Sequence, residues 1–305
     1  MDKLTSLEVF VNCGFKADLF RKTHFETGDS MRIKRLLTMA IQARAMISVV
    51  GDRGIGKTTA IQKAMSDVAA TVVYVGPADK ERVTVGDIER EMIMSLSDEN
   101  PKTNRVVRAR QLRRIIGSAS GKKEIVLIIE ESHRISSQTL RSIKTLREME
   151  WMGAHNLFTV VFAGQSDPMN RPGVSEVRLR SDSVYMKGMG KDEIAEYIRA
   201  TVGRVFEEDA IEMITGRPGA SNFKDLKETL VNLMGLMLAT GRGKVDAALV
   251  AETLDMGRTP IPKGRRNTVQ DAGISKIDTS AAGSDALKSV MATRMGGPSR
   301  KVVNG

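Results

Sequence analysis

Short apolar runs alternate with amphipathic stretches between residues 46 and 186. Each run is rich in β-branched side chains and lacks polar alternation, which is typical of parallel strands covered on both faces. Helical patterns separate the runs, so the alternation predicts an α/β fold with a doubly wound parallel sheet. The predicted strands are Met46–Val50, Val72–Val75, Ile125–Ile129 and Phe158–Ala163, with a weaker fifth at Ser183–Met186.

After Gly188 the strand pattern stops, and apolar residues recur at helical spacing. This change predicts a small helical lid domain that follows the sheet. A helix over 31–45 is expected before the first strand, and a short helix with an arm packing on a neighbour is expected before that. The predicted lid helices are Lys191–Val202, Glu207–Thr215, Asn222–Thr240 and Val245–Met256.

Four regions follow from these patterns: an N-terminal arm at 1–30, an α/β core at 31–187, a helical lid at 188–256 and a tail at 257–305. In the tail the apolar periodicity fades while Gly, Pro, Ser, Thr and basic residues dominate, which predicts a largely disordered basic segment. A short helix at Asp285–Met295, formed on contact with a partner, is the one exception we expect there.

Composition narrows the function classes. The 305 residues carry a net charge of +10, which favours an anionic partner, either nucleic acid or an acidic lipid surface. A single cysteine, Cys13, excludes a disulfide scaffold and favours a reducing compartment. There is neither a bilayer-length apolar run nor an apolar signal core at the start, so we expect a cytoplasmic protein.

One segment, 51–58, fits the pattern G-x-x-x-x-G-K-[ST] at every fixed position, between a predicted strand and a predicted helix. Its glycines let backbone N–H groups curl around a polyphosphate, and the helix N-terminus adds partial positive charge. We predict that Lys57 reaches the β- and γ-phosphates of ATP and that Thr58 ligates Mg²⁺. The alternative is a glycine-rich turn without a ligand. The predicted nucleotide-binding residues of this segment are Gly51, Asp52, Arg53, Gly54, Ile55, Gly56, Lys57, Thr58 and Thr59.

Two carboxylates, Glu130 and Glu131, end the predicted strand Ile125–Ile129. In nucleotide hydrolases a first acid at this position orients Mg²⁺ and a second polarises the attacking water. Position therefore assigns Glu130 to the metal and Glu131 to the base role, against the alternative of a solvated strand end. His133 either contacts the γ-phosphate region or caps the next helix.

Polar groups also follow the strand Phe158–Ala163. Gln165 is the candidate sensor of the γ-phosphate, with a simple polar turn as the alternative. Arg178 and Arg180 come next in the sequence. If this segment is extended, its side chains alternate between two sides, and these two arginines lie on the same side. There they could reach a neighbouring subunit's γ-phosphate as an arginine finger, or remain solvated.

Residues 101–123 contain eight Lys and Arg and no acid. Pro101 suits a helix start and Gly117 a stop, while Val107, Leu112, Ile115 and Ile116 supply an apolar side. Such a helix predicts contacts to DNA phosphates without base readout, and a solvated face is the alternative. The predicted DNA-binding residues are Lys102, Arg105, Arg108, Arg110, Arg113 and Arg114.

These elements, in this order and followed by a helical lid, resemble the AAA+ ATPases over residues 20–255. Within that group the chain is similar to the transposition target-selection ATPases of the phage Mu B type. The compact core, the helix 31–45 just before the loop and the pattern at 161–165 carry this likeness. General-secretion A-type ATPases have a similar core, and Glu130 stands where the family usually has Asp.

The resemblance implies that copies of the chain assemble with ATP into a filament or ring on duplex DNA, and that they recruit and stimulate a transposase. It implies that ATP hydrolysis then drives release from the DNA, in a phage- or mobile-element-encoded system of a bacterial host cell. It also implies a cationic residue near the start of a lid helix, for which the sequence offers Arg217 or Lys224; we assign Lys224 to the nucleotide. The alternatives are a helicase loader or a secretion-type ATPase acting on a protein, and a nucleotide-gated scaffold with negligible turnover.

Overall fold

A five-stranded parallel sheet forms the centre of the computed structural model, which describes residues 4–16, 20, 25–76 and 83–256. The strand order is β2-β3-β4-β1-β5, so the predicted doubly wound sheet is confirmed. The strands, all within two residues of their predicted ends, are β1 (Met46–Val50), β2 (Ala70–Val75), β3 (Glu124–Ile129), β4 (Thr159–Gly164) and β5 (Ser181–Tyr185).

Strand register decides which side chains meet at the sheet edge. Val50 of β1 pairs with Gly164 of β4, while Ile129 of β3 pairs with Phe162 of the same strand. The carboxyl ends of β1, β3 and β4 therefore lie at one edge. Because loops at that edge hold ligands in open α/β sheets, the three predicted nucleotide motifs come together there.

Helices cover both faces of the sheet because the strand residues alternate between two apolar clusters. The helices that precede the lid in the chain are α1 (Ser6–Asn12), α2 (Gly28–Gln42), α3 (Lys57–Ser66), α4 (Val85–Leu96), α5 (Arg105–Ser120), α6 (Ser137–Arg147) and the short α7 (Ser175–Arg178). Ile47 and Val49 of β1 pack in one cluster with α2 and α3, whereas Met46 packs in the other with α4, α5 and α6.

The lid has a third apolar cluster of its own, built from helices that match their predictions closely. The N-terminal helix α1 belongs to this cluster, since Val9 and Phe10 are buried in it and α1 contacts α10 of the same chain. The arm therefore finds its packing partner within the chain. The lid helices are α8 (Lys191–Val202), α9 (Glu208–Thr215), α10 (Phe223–Ala239) and α11 (Ala247–Met256).

The basic helix differs from its prediction at both ends. It begins after Asn104, whose side chain accepts from the backbone N–H groups of Val106 and Val107, rather than at Pro101. The helix does not stop at Gly117 but continues through it to Ser120. Glycine is needed there because a Cβ at this position would overlap the Trp151 ring. Glycine here serves close packing of a side chain on a helix rather than termination.

Arg108 is not on the exposed face of α5, and its assignment to DNA was wrong. Its side chain is 7% exposed and its Nε lies 2.8 Å from Glu89 Oε2 on α4. Its Nη1 also donates to the backbone carbonyls of Lys102 and Thr103. Val107, expected on the apolar side, is exposed instead. The helix is thus rotated so that one arginine ties α5 to α4.

The predicted tail at 257–305 and its helix at Asp285–Met295 lie outside the described residues. Within the described ranges, no helix is long and apolar enough to cross a membrane.

We expect Arg108→Leu to lower the free energy of unfolding by about 3 kcal/mol, because it leaves the buried Glu89 carboxylate without its partner. Arg110→Leu on the same helix is the matched control, since Arg110 is exposed and a surface change costs less than about 0.5 kcal/mol. Urea unfolding followed by circular dichroism measures both. Equal stability of the two variants would contradict the structural role of Arg108.

Candidate functional site

The loop between β1 and α3 has the backbone of an anion site. Gly54 and Gly56 adopt positive φ of 89° and 96° immediately before α3. Gly56 is the N-cap residue, and no side chain caps this helix. The first N–H groups of α3 are therefore available to an anion, in line with the partial positive charge of a helix N-terminus.

Lys57 is the first residue of α3 and bends back over the loop. Its Nζ donates to the carbonyl oxygens of Gly51 and Asp52, at 2.8 and 2.9 Å. Burial lowers the pKa of this ammonium, and the charges of Glu131 and Asp52 oppose that shift. Burial thus disfavours the charged form of Lys57. A phosphate bound in the loop would stabilise that charged form through its negative charge. Thr58 and Thr59 are exposed at the same helix start.

The lid reaches the loop directly through the N-terminus of α10. The Asn222 side chain donates from Nδ2 to the Arg53 carbonyl at 3.0 Å, and the Lys224 N–H donates to the Gly54 carbonyl at 3.3 Å. A Cβ on Gly54 would lie 2.8 Å from Asn222 Oδ1 and would overlap the Lys224 side chain. Core and lid thus meet on the backbone of this loop, and Lys224, not Arg217, lines the cavity beside it.

A cavity of about 520 Å³ extends from the loop to an aromatic wall. The Tyr197 ring lies 5.2 Å from the Phe223 ring and 5.4 Å from the Phe25 ring, both edge to face. This wall was missed by sequence reasoning because its members come from the N-terminal segment and two lid helices, with no shared spacing. These rings line the same cavity as the phosphate loop and give it an apolar side.

The two acidic residues after β3 occupy different positions. Glu130 continues the sheet, with its N–H donating to the Val75 carbonyl at 2.9 Å. Glu131 turns out of the strand at a φ of 49°, a left-handed conformation that is uncommon for a residue with a side chain. Glu131 lines the cavity together with Gln165, while Glu130 is not among the lining residues.

The expected extended segment around Arg178 and Arg180 was wrong. Arg178 ends the short helix α7, and Arg180 lies in the turn before β5. Arg180 forms an ion pair with Glu148, and Arg178 is exposed. Neither lines the cavity of its own chain.

The described residues contain no group of three or more His, Cys, Asp or Glu that could hold a metal alone. A magnesium ion at this edge would therefore take most of its ligands from phosphate and water, as it usually does. Thr58 at the start of α3 and Glu130 at the end of β3 are the oxygen donors that the sequence assigns to it. The helix start, the ammonium and the adjoining acids fit Mg²⁺-ATP.

Comparison with known proteins agrees with this geometry. Residues 40–170 match a family model described as AAA domain. Comparison with curated protein sequences gives no match.

Three of the solved structures that match this chain illustrate the likeness in fold. Cdc6p from Pyrobaculum aerophilum matches at 15% identity with a TM-score of 0.56, over 74% of this chain and 67% of that one. The Aeropyrum pernix ORC2 protein, as ADPNP-ADP complexes, matches at 15% with a TM-score of 0.52, over 78% and 71%. Drosophila ORC bound to DNA matches at 12% with a TM-score of 0.57, over 83% and 66%. At these identities the likeness concerns the fold.

We expect Gly54→Ala to weaken nucleotide binding at least tenfold, because the new Cβ meets both lid residues and forces a positive φ on alanine. Gly153→Ala is the matched control: Gly153 has a similar φ of 79° but nothing within 4 Å of a Cβ. Titration with a fluorescent ATP analogue and Mg²⁺ measures both. Similar affinities for the two variants would show that the contact between loop and lid is dispensable.

Proposed function

We propose that this chain, whose residues 40–170 form an AAA ATPase domain, couples its ATP hydrolysis to the binding of duplex DNA and the delivery of that DNA to a transposase. That the domain binds ATP with Mg²⁺ and is an ATPase follows from the family match. The observation that carries the proposal is the contact of lid helix α10 with the phosphate loop. A nucleotide held at that contact would touch both the α/β core and the lid.

Five residues at the carboxyl edge of the sheet carry the chemistry in this proposal. Lys57 neutralises the β- and γ-phosphates, and Thr58 with Glu130 holds Mg²⁺. Glu131 faces the cavity and polarises the attacking water, with Gln165 beside it as the γ-phosphate sensor. Mg²⁺ held by Thr58 and Glu130 would stabilise the negative charge that develops on the phosphate oxygens.

The base of the nucleotide lies against the aromatic wall. The Phe223 ring lines the cavity beside the buried Tyr197 and offers a contact for a purine, and Lys224, next to Phe223 on α10, approaches the phosphates. Stacking of a base on an aromatic ring contributes about 1–3 kcal/mol in proteins that bind single-stranded nucleic acid. Because these rings belong to the lid, nucleotide binding holds the lid closed on the core.

Arg178 and Arg180 act on a second copy of the chain in this proposal. Both are exposed and lie outside their own cavity, as a residue supplied to a neighbour must. Arg180 would first leave Glu148, an exposed ion pair whose loss costs less than about 1 kcal/mol. Assembly of copies into a filament or ring follows from such sharing.

The proposed DNA-binding surface consists of the residues predicted from sequence without the buried Arg108. Lys102, Arg105 and Arg110 are exposed on or beside α5. Arg113 is exposed too and donates to the Glu150 carbonyl at 2.9 Å. Arg114 forms an ion pair with Glu99, so its charge is partly compensated. Support for DNA comes also from the neighbouring fold, since the Drosophila ORC structure is described as bound to DNA.

The transposase is proposed on the sequence resemblance alone. The compact core, the helix before the phosphate loop and the pattern at 161–165 are its basis. The alternative is an ATPase that acts on a protein partner and not on DNA, as in a helicase loader or a secretion ATPase. The next experiment distinguishes the two functions.

We expect Glu131→Gln to bind ATP but to hydrolyse it at least a hundredfold more slowly, because the amide cannot polarise water. Mixed with ATP and plasmid DNA, this variant should form long-lived assemblies on the duplex in negative-stain images. Lys57→Ala, which loses the phosphate contact, should form none. Assemblies of Glu131→Gln that need ATP but ignore DNA would favour a protein partner instead.

We expect the combined change of Arg105, Arg110 and Arg113 to glutamine to weaken DNA binding on every sequence alike. Each lost phosphate contact reduces the slope of log affinity against log salt by about 0.9. Fluorescence anisotropy with two unrelated duplexes over a salt series gives that slope. An unchanged slope in the presence of ATP would mean that these arginines of α5 face solvent and do not contact DNA.

A further inference from the structure

His133 lies between the two polar residues that face the nucleotide cavity. It sits in the single helical turn Ser132–Arg134 that follows β3. Its Nε2 is 3.6 Å from Glu131 Oε2, and its Nδ1 accepts the backbone N–H of Gln165 at 3.5 Å. One imidazole thus approaches the carboxylate after β3 and the backbone after β4.

The partner at Nδ1 defines the tautomer. Because Gln165 N–H is a donor, Nδ1 must present its lone pair, and the ring proton of the neutral imidazole lies on Nε2. Nε2 is the atom that faces Glu131. The imidazole therefore offers a hydrogen-bond donor to the carboxylate.

The turn that carries His133 is held on its backbone. The Arg171 guanidinium donates to the His133 carbonyl, and Arg134 N–H donates to the Glu131 carbonyl at 2.8 Å. The imidazole itself is only 20% exposed. Its position is therefore set by the fold rather than by solvent.

Neither of the roles considered for His133 from the sequence fits this geometry. Helix α6 is capped by Ser136, whose Oγ accepts the Thr139 N–H at 3.1 Å, so His133 is not its cap. The cavity is lined by Glu131 and Gln165 but not by His133, so the imidazole lies behind them rather than against a phosphate.

We propose that His133 is a positioning residue that aims the Glu131 carboxylate and couples it to the Gln165 backbone. Glu131 needs such a partner because its left-handed backbone conformation places it outside strand and helix, where neighbours would fix a rotamer. Arg134 Nε lies farther from the same carboxylate oxygen, at 4.0 Å. The inference rests on the proposed role of Glu131 as the residue that polarises water.

The test compares His133→Ala with His133→Gln and with the control His155→Ala, an exposed histidine on the loop before β4. We expect His133→Ala to lower kcat by roughly 10- to 100-fold, with KM and ATP affinity within twofold of wild type. Glutamine can accept the Gln165 N–H and donate to Glu131, so His133→Gln should recover most of the rate. His155→Ala should behave as wild type.

A double-mutant cycle separates positioning from a general loss of structure. If His133 acts through Glu131, adding His133→Ala to Glu131→Gln should change the residual single-turnover rate by less than twofold. Independent loss of another 10-fold in that background would overturn the proposal, as would a normal kcat for His133→Ala. If the alanine variant does not fold, His133→Gln against the shorter His133→Asn decides, because only the longer amide reaches both partners.

The outcome also separates this inference from the proposed function. Normal hydrolysis by Glu131→Gln would refute the assignment of the base itself. Slow hydrolysis by Glu131→Gln together with normal hydrolysis by His133→Ala would refute only the role of His133.

Discussion

The contact between the phosphate loop and the N-terminus of α10 is the constraint on which the rest of the site depends. Two hydrogen bonds to the carbonyls of Arg53 and Gly54 hold the lid against the loop, and only glycine fits at position 54. A nucleotide in the adjoining cavity touches the loop and the lid together. Its binding energy therefore stabilises the closed arrangement, as for any ligand that binds one conformation in preference to another.

Acidic side chains at the first turns of α2 and α8 also hold the junction between core and lid. Asp29 accepts the backbone N–H groups of Lys187 and Gly188, at 2.6 and 2.9 Å, and Glu193 of the lid accepts the Gly28 N–H at 2.6 Å. Helix α2 is thus tied at its first turn to the segment where the sheet ends and the lid begins. A movement of the lid would therefore change these charge-assisted hydrogen bonds at the start of α2.

The fold could be predicted from sequence because its signals are local. Buried parallel strands appear as uninterrupted apolar runs, and the loop motif fixes its own backbone through glycine. The aromatic wall of Phe25, Tyr197 and Phe223 could not be predicted, since its members are far apart in sequence and meet only when the lid packs. Arg108 was misplaced for a related reason: its partner Glu89 lies on another helix. Long-range ion pairs leave no periodic trace.

The size of the basic surface has a consequence for how the chain can hold DNA. From Arg105 to Arg113 the helix rises about 12 Å, which spans roughly three or four phosphates of one strand at about 3.4 Å each. Arg108 is buried and Arg114 is paired, so few free cations remain along that length. A single copy is therefore expected to bind duplex weakly, and with a shallow salt dependence because it makes few phosphate contacts. Tight binding requires several copies side by side, because linked sites raise each other's effective concentration. In the proposed function, the exposed Arg178 and Arg180 link each copy to the nucleotide cavity of a neighbour. Assembly would then be the step through which ATP controls DNA binding.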